Sequence, residues 1–224
     1  MISILRSAFL IFKKDLLSER RNHEALTSML LFALISVVLL IFAFELAADV
    51  KQQAFAATLW LALCFAGTTG LNHAWAQEQQ TQCLDALLLA PIDPTALYFG
   101  KFAANWVFTL LVALVLAPLA GFFYGVNPFH WALLGIILLG TLGYSLAGVL
   151  ISALSQKLRN RELSLPILLF PVLIPMLLAA IRATQIIIGG GAAEELLTWV
   201  GMLVGFDGLI LAVGLMFFEP LLND

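Results

Sequence analysis

Asp207 is the residue whose chemistry is most at odds with its surroundings, because it interrupts an apolar run in Gly205-Phe206-Asp207-Gly208. An ionisable side chain deep in a membrane costs about 3 kcal/mol or more unless it is paired or hydrated. Two interpretations stay open: Asp207 lines a cavity or relays protons, or it is neutral or hydrogen-bonded to Ser, Asn or the backbone. The residues argue against an intramembrane aspartyl protease, because Phe206 replaces the second glycine of Gly-x-Gly-Asp and no second mid-membrane Asp completes a dyad.

Gly100-Lys101 is the only fragment that looks like a nucleotide-binding P-loop. In the pattern GxxxxGK[ST], Thr95 stands where the first glycine is needed and Phe102 stands where serine or threonine is needed. We therefore expect that the chain does not hydrolyse ATP itself, and that any ATP-driven action needs a partner.

The histidines and cysteines predict no bound metal or other cofactor. His23, His73 and His130 are isolated in the sequence, and Cys64 and Cys83 form neither CxxC nor CxxCH. We expect no cofactor to be bound directly by this chain.

Three polar residues fall inside predicted membrane spans at what we expect to be one depth, toward the cytoplasm. They are Asn72 and His73 in the second span and Asn105 in the third. Buried polar side chains commonly hydrogen-bond between membrane helices. The cluster is interpreted either as structural contacts or as a gate or substrate contact.

The elements that position these residues are predicted to be membrane helices. The 224 residues are 62% hydrophobic and 11% charged, with a mean hydropathy of +1.02, whereas soluble domains are roughly a quarter charged. The expected fold class is an all-α membrane protein that forms a single transmembrane domain, residues 1–224. Six spans are predicted, at about 26–46, 54–76, 102–124, 130–154, 163–183 and 197–218.

The residues before the first span predict an amphipathic elbow helix, 1–22, in the membrane interface. Its apolar side chains recur at steps of three and four residues from Ile2 to Leu16. The charged residues that we expect to matter there are Lys13, Lys14, Asp15, Glu19 and Arg20.

Charge placement predicts the orientation. With both ends on one side, that side holds nine Lys and Arg residues and the other holds only Lys51 and Arg182. Both termini and the polar segment 77–101 are therefore expected in the cytoplasm. The five tryptophans are interpreted as an aromatic belt near the span ends: Trp60, Trp75, Trp106, Trp131 and Trp199.

Two further patterns concern helix packing and the last outer connection. Small residues in the fourth and sixth spans are interpreted either as packing within the chain or as a subunit interface: Gly140, Gly143, Ala147, Gly148, Gly201 and Gly205. The connection from Ala183 to Leu196 is expected to be a re-entrant or surface-lying segment.

The order of these features resembles the membrane subunit of type II ABC exporters, and more closely the haem exporter protein B (CcmB) family. The N-terminal motif is Phe12-Lys13-Lys14-Asp15-Leu16-Leu17-Ser18-Glu19-Arg20-Arg21. The insert is Leu84-Asp85-Ala86-Leu87-Leu88-Leu89-Ala90-Pro91, followed by Gly100-Lys101. The later run is Leu163-Ser164-Leu165-Pro166-Ile167-Leu168-Leu169-Phe170-Pro171.

The resemblance implies an inner-membrane complex of bacterial cytochrome c maturation. Its expected partners are the ATPase subunit CcmA, the haem-handling subunit CcmC, the small subunit CcmD, the haem chaperone CcmE and a second copy of this chain, with no nucleic acid. ATP acts through the partner, and haem is handled within the complex.

The resemblance also implies that 77–101 carries the coupling helix that docks on the ATPase. The residues expected to couple are Gln82, Leu84, Asp85, Leu87, Leu88 and Pro91. Three leucines would pack in the ATPase groove, Asp85 would pair with a basic residue, and the prolines would transmit force. Two alternatives are a secondary transporter that uses Asp207 for proton coupling and a scaffold that transports nothing.

Overall fold

The computed structural model describes residues 2–43, 51–80, 93–155 and 161–223, and within these ranges the chain is helical and contains no strand. This confirms the all-α class. The helices of the described part are α1 (Ile2–Asn22), α2 (Glu24–Ala43), α3 (Lys51–Gln80), α4 (Pro94–Tyr124), α5 (Trp131–Ser155), α6 (Arg161–Gly189) and α7 (Ala193–Asn223).

Helices α2 to α7 are each long and apolar enough to cross a membrane, so the chain is a multi-pass membrane protein. The largest difference from the expected bounds is the start of α4, which lies at Pro94 instead of 102, so that the helix runs for 31 residues. The segment 77–101 therefore overlaps the end of α3 and the start of α4, and residues 81–92 between them lie outside the described residues.

The start of α4 is fixed by its own cap. The Asp93 carboxylate accepts the backbone N–H of Thr95 at 2.9 Å and the Thr95 hydroxyl, and Pro94 occupies the first helical turn. The hydroxyl bond and then the backbone bond lower the pKa of the Asp93 carboxyl. No unstructured residue separates this cap from the helix.

A tight corner joins α1 to α2. His23 has a φ of 54°, and its N–H donates to the Glu19 carbonyl at 2.7 Å, which ends α1 in a left-handed cap. The buried carboxylate of Glu19 accepts the N–H of Leu26 at 2.7 Å and so caps the next helix. One side chain thus links both helices.

Helices α3 and α5 are buried over most of their length and form the centre of the bundle, whereas α2 and α7 expose most of their surface. Contacts along α5 show which parts of the other helices share a depth. Gly140 lies against Trp60 of α3, Thr141 accepts from Trp106 of α4 at 3.2 Å, and Gly148 lies against Leu71 of α3.

Of the two alternatives for the connection between Ala183 and Leu196, the re-entrant segment is wrong, and the surface-lying segment stays a prediction. Helix α6 continues to Gly189 and α7 begins at Ala193, so the three isoleucines of that stretch are helical. Gly190 turns the chain with a φ of 68°, and the Gly191 N–H donates to the Ile186 carbonyl at 2.9 Å. Helix α6 also continues through its three prolines.

Candidate functional site

The first two turns of α4 are a joint between three other helices. Gly100 packs on α1: a Cβ atom there would lie 2.7 Å from Ile11 Cβ and 2.9 Å from the Ala8 carbonyl oxygen. The next residue, Lys101, places its Nζ 3.2 Å from Asp15 Oδ2 and is only 5% exposed. The Gly-Lys pair that resembled a P-loop fragment therefore holds the elbow helix against a membrane helix.

Tyr98 connects the same part of α4 to α5 and α7. Its buried hydroxyl donates to the Leu146 carbonyl at 3.1 Å and lies against Gly214, and its ring centroid is 4.9 Å from that of Phe218. Sequence reasoning missed this residue because the span was expected to begin at 102. The signal was available in Asp93-Pro94, which is a helix-start pattern.

The acidic and basic residues of the elbow helix α1 differ in whether they face the protein. Asp15 and Glu19 face the protein, with Asp15 also 3.3 Å from Lys14, while Lys13 and Arg20 are exposed. The acidic members are therefore the ones that attach α1 to α4 and α2. Their functional roles stay predictions.

Asp207 is buried at 7% exposure and faces α5 at Gly143, where a Cβ atom would overlap Asp207 Oδ1. Neither carboxylate oxygen has a hydrogen-bond partner within the described part of the chain. No bond to Ser, Asn or the backbone satisfies the group there. A neutral carboxyl and a relay or cavity-lining role both stay open.

The expectation of one polar cluster in the second and third spans is wrong. Asn105 lies beside Trp106 and thus near the depth of Thr141, whereas Leu71 packs at Gly148, seven residues and roughly 10 Å further along α5. The cause is the early start of α4, which puts Asn105 eleven residues into the helix instead of three after an expected start at 102.

The three polar side chains also differ in burial. His73 is exposed and Asn72 is half-buried, while Asn105 is buried, with no partner for Nδ2 among the described residues. Asn105 thus shares an unsatisfied polar group with Asp207. Its neighbour Trp106 contacts Thr141, two residues before Gly143, so the two side chains lie at a similar depth.

The small residues divide between the two interpretations. Gly140, Gly143 and Gly148 of α5 pack within the chain, as one interpretation predicts. Gly201 and Gly205 of α7 do not: both are exposed, and no described heavy atom lies within 4 Å of a Cβ atom built on either one. For that pair, packing against the described part of the chain is wrong, and a subunit interface stays a prediction.

The predicted aromatic belt holds for only some of the tryptophans. Trp60 is buried and donates to Thr184 at 3.0 Å, so it belongs to the core rather than to an aromatic belt. Trp131 is 90% exposed at the start of α5, where a belt residue is expected.

The predicted coupling residues lie outside the described residues. They are Gln82, Leu84, Asp85, Leu87, Leu88 and Pro91. In the ranges that are described, no group of three or more His, Cys, Asp or Glu side chains is placed to hold a metal ion.

The chain matches the model of the CcmB protein family over residues 6–219. Heme exporter protein B of Rhodobacter capsulatus is 31% identical over 150 residues, 66% of this chain and 69% of that protein. The protein of that name from Pseudomonas aeruginosa is 26% identical over 198 residues, 88% of each chain. The Haemophilus influenzae protein is 29% identical over 176 residues, 76% of this chain and 77% of that one.

Replacing Gly143 by Ala should lower the thermal unfolding midpoint in detergent, because the new methyl group overlaps the Asp207 carboxylate. Overpacking of this kind costs about 1–3 kcal/mol. Gly135→Ala on the same helix is the matched control: its Cβ meets open space, so the midpoint should hold or rise. In an Asp207→Ala background the Gly143→Ala loss should shrink. Equal midpoints for the two single variants would contradict the contact.

Replacing Asp15 by Asn should destabilise the protein by up to about 3 kcal/mol, because it leaves the buried Lys101 ammonium without this carboxylate. The thermal midpoint should fall at both 0.1 M and 1 M NaCl, since salt screens buried pairs poorly. Lys13→Gln, an exposed neighbour, should change it little. A loss for Lys13→Gln as large as that for Asp15→Asn would show that the ion pair is not the cause.

Proposed function

The chain belongs to the CcmB protein family, and we propose that it is the permease-like membrane subunit of an ABC-type complex in cytochrome c maturation. Haem is the proposed cargo, because relatives carry the name heme exporter protein B. In the proposed role, the chain couples ATP hydrolysis by a partner to haem handling and to release of the haem-loaded chaperone, and it is not itself an enzyme. The absence of a complete P-loop supports an external ATPase.

The proposed assembly follows the family resemblance. Its partners are CcmA as the ATPase, CcmC and CcmD as membrane subunits, CcmE as the chaperone and a second copy of this chain. The chain acts as a single transmembrane domain in the bacterial inner membrane, with both termini in the cytoplasm. The distribution of Lys and Arg supports that orientation.

The observation that carries the proposal is the joint at the start of α4. The proposed coupling segment, residues 77–101, includes the Asp93 cap, and α4 is helical from Pro94 onward. A displacement of the predicted coupling residues would therefore act directly on the first turn of α4.

Two sets of contacts at this joint would transmit the displacement to the other helices. Lys101 and Gly100 hold α1, and Glu19 of α1 caps α2. Tyr98 holds α5 and α7. Because close-packed contacts switch between discrete arrangements more readily than they deform, movement of α4 would carry its neighbours with it.

A pair of variants tests docking and coupling separately. Leu88→Glu puts a charge on the proposed apolar docking face and should reduce co-purification of the ATPase more than tenfold. Tyr98→Phe removes one hydrogen bond, worth about 1 kcal/mol, at the other end of the route. It should keep ATPase association while lowering ATP-dependent release of the haem-loaded chaperone several-fold.

Each result can contradict a different part of the proposal. Normal ATPase association with Leu88→Glu, and with Asp85→Lys beside it, would overturn docking at this segment. Normal ATP-dependent release with Tyr98→Phe would remove Tyr98 from the coupling route. A scaffold without transport predicts that a hydrolysis-blocked ATPase leaves function intact.

A second candidate function is favoured by one observation, the buried Asp207 carboxylate without a partner in the described part of the chain. A proton-coupled secondary transporter would place its titrating group in such a position. That protein needs no ATPase. Substrate movement by the purified chain alone on a proton gradient, stopped by Asp207→Asn, would replace the coupling proposal.

A further inference from the structure

The outward surface of α1 carries cations and no carboxylate. Arg6, Lys13, Arg20 and Arg21 are exposed. The two acidic residues of the helix are both turned inward: Asp15 pairs with Lys101, and Glu19 caps α2. The fold has thus separated the charges of α1, using the negative ones for internal contacts and leaving the positive ones outside.

The exposed cations are aligned with an exposed apolar row. Arg6, Lys13 and Arg20 are spaced by seven residues, so they lie along one line of the helix. Exposed apolar side chains flank this line on both sides. Leu5 and Phe9, 68% and 61% exposed, lie on one side and Leu10 and Leu17, 57% and 47% exposed, lie on the other. A surface with an apolar row beside a basic row fits the boundary between acyl chains and headgroups.

The attachment points of α1 place it at that boundary. It is fixed to the start of α2 through Leu26 and to the start of α4 through Lys101. Since α2, α3 and α4 are three consecutive crossing helices, the starts of α2 and α4 lie on one side of the membrane. The elbow helix therefore lies at that membrane surface and not within the bundle.

We infer that the outward face of α1 selectively binds acidic phospholipid headgroups of the surrounding membrane. A zwitterionic lipid would cover the apolar row but would not neutralise the basic row. A free phosphate ion would neutralise the cations but would not cover the exposed Leu and Phe side chains. An acidic phospholipid supplies both an acyl chain and a net negative headgroup, and each cation near such a surface favours binding about fivefold.

The test measures lipid retention by the full-length protein. The chain is extracted from vesicles of equal parts phosphatidylglycerol and phosphatidylcholine, and bound lipids are counted by native mass spectrometry. Wild type should retain phosphatidylglycerol in excess. The triple variant Arg6→Gln, Lys13→Gln, Arg20→Gln should lower the ratio at least fivefold, and Arg182→Gln, which removes an exposed cation from α6, should leave it unchanged.

A second measurement does not depend on folding of the variant. For wild type, the phosphatidylglycerol excess should fall as NaCl rises from 0.1 M to 1 M, because the screening length drops from about 10 Å to about 3 Å. A ratio that is insensitive to both salt and the triple substitution overturns the inference. The same holds if the triple variant keeps its lipids but loses a co-purifying protein, since the face would then be a protein contact.

Discussion

The ion pair between Lys101 and Asp15 is the interaction on which one end of the bundle depends. A lysine ammonium that is 5% exposed is tolerable only with a carboxylate at hand, because removing it from water is otherwise too costly. Gly100 makes the pairing possible by letting α1 approach the backbone of α4. The elbow helix is therefore fixed to the bundle by a buried ion pair, and its outward face is positive because both of its carboxylates are used in internal contacts.

The remaining helices are held by small residues and by hydrogen bonds between side chains. Apolar burial drives association weakly inside lipid, so close packing and polar contacts must supply specificity. Helix α5 provides the close packing, with glycines opposite Trp60, Asp207 and Leu71. The polar contacts cross the bundle at several depths: Thr58–Tyr124, Trp60–Thr184, Thr68–Tyr144 and Trp106–Thr141.

Hydropathy was sufficient to predict six apolar helices, because a bilayer demands about 20 apolar residues per crossing. It could not predict register or rotation, since these depend on partners far away in the chain. The sequence pattern alone places Asn105 at the wrong depth and Trp60 in the aromatic belt. Nothing near Asp15 in the sequence indicates that Lys101 is its partner. The outward face of Gly201 likewise could not be told from an inward one, because a helix pattern of small residues looks the same in both cases.

The joint at α4 and the carboxyl group of Asp207 both contact helix α7 or lie on it. Tyr98 lies against Gly214, and Asp207 is two turns away on the same helix, facing Gly143 of α5. If α4 moved as proposed, we would expect the shift to reach α7 through Tyr98 and to change the position of Asp207 against α5. Helix α7 would then both follow the ATP-driven movement of α4 and carry the carboxyl group that a proton-coupled transporter would use. Loss of function on changing Asp207 therefore distinguishes the two mechanisms only when it is measured without the ATPase.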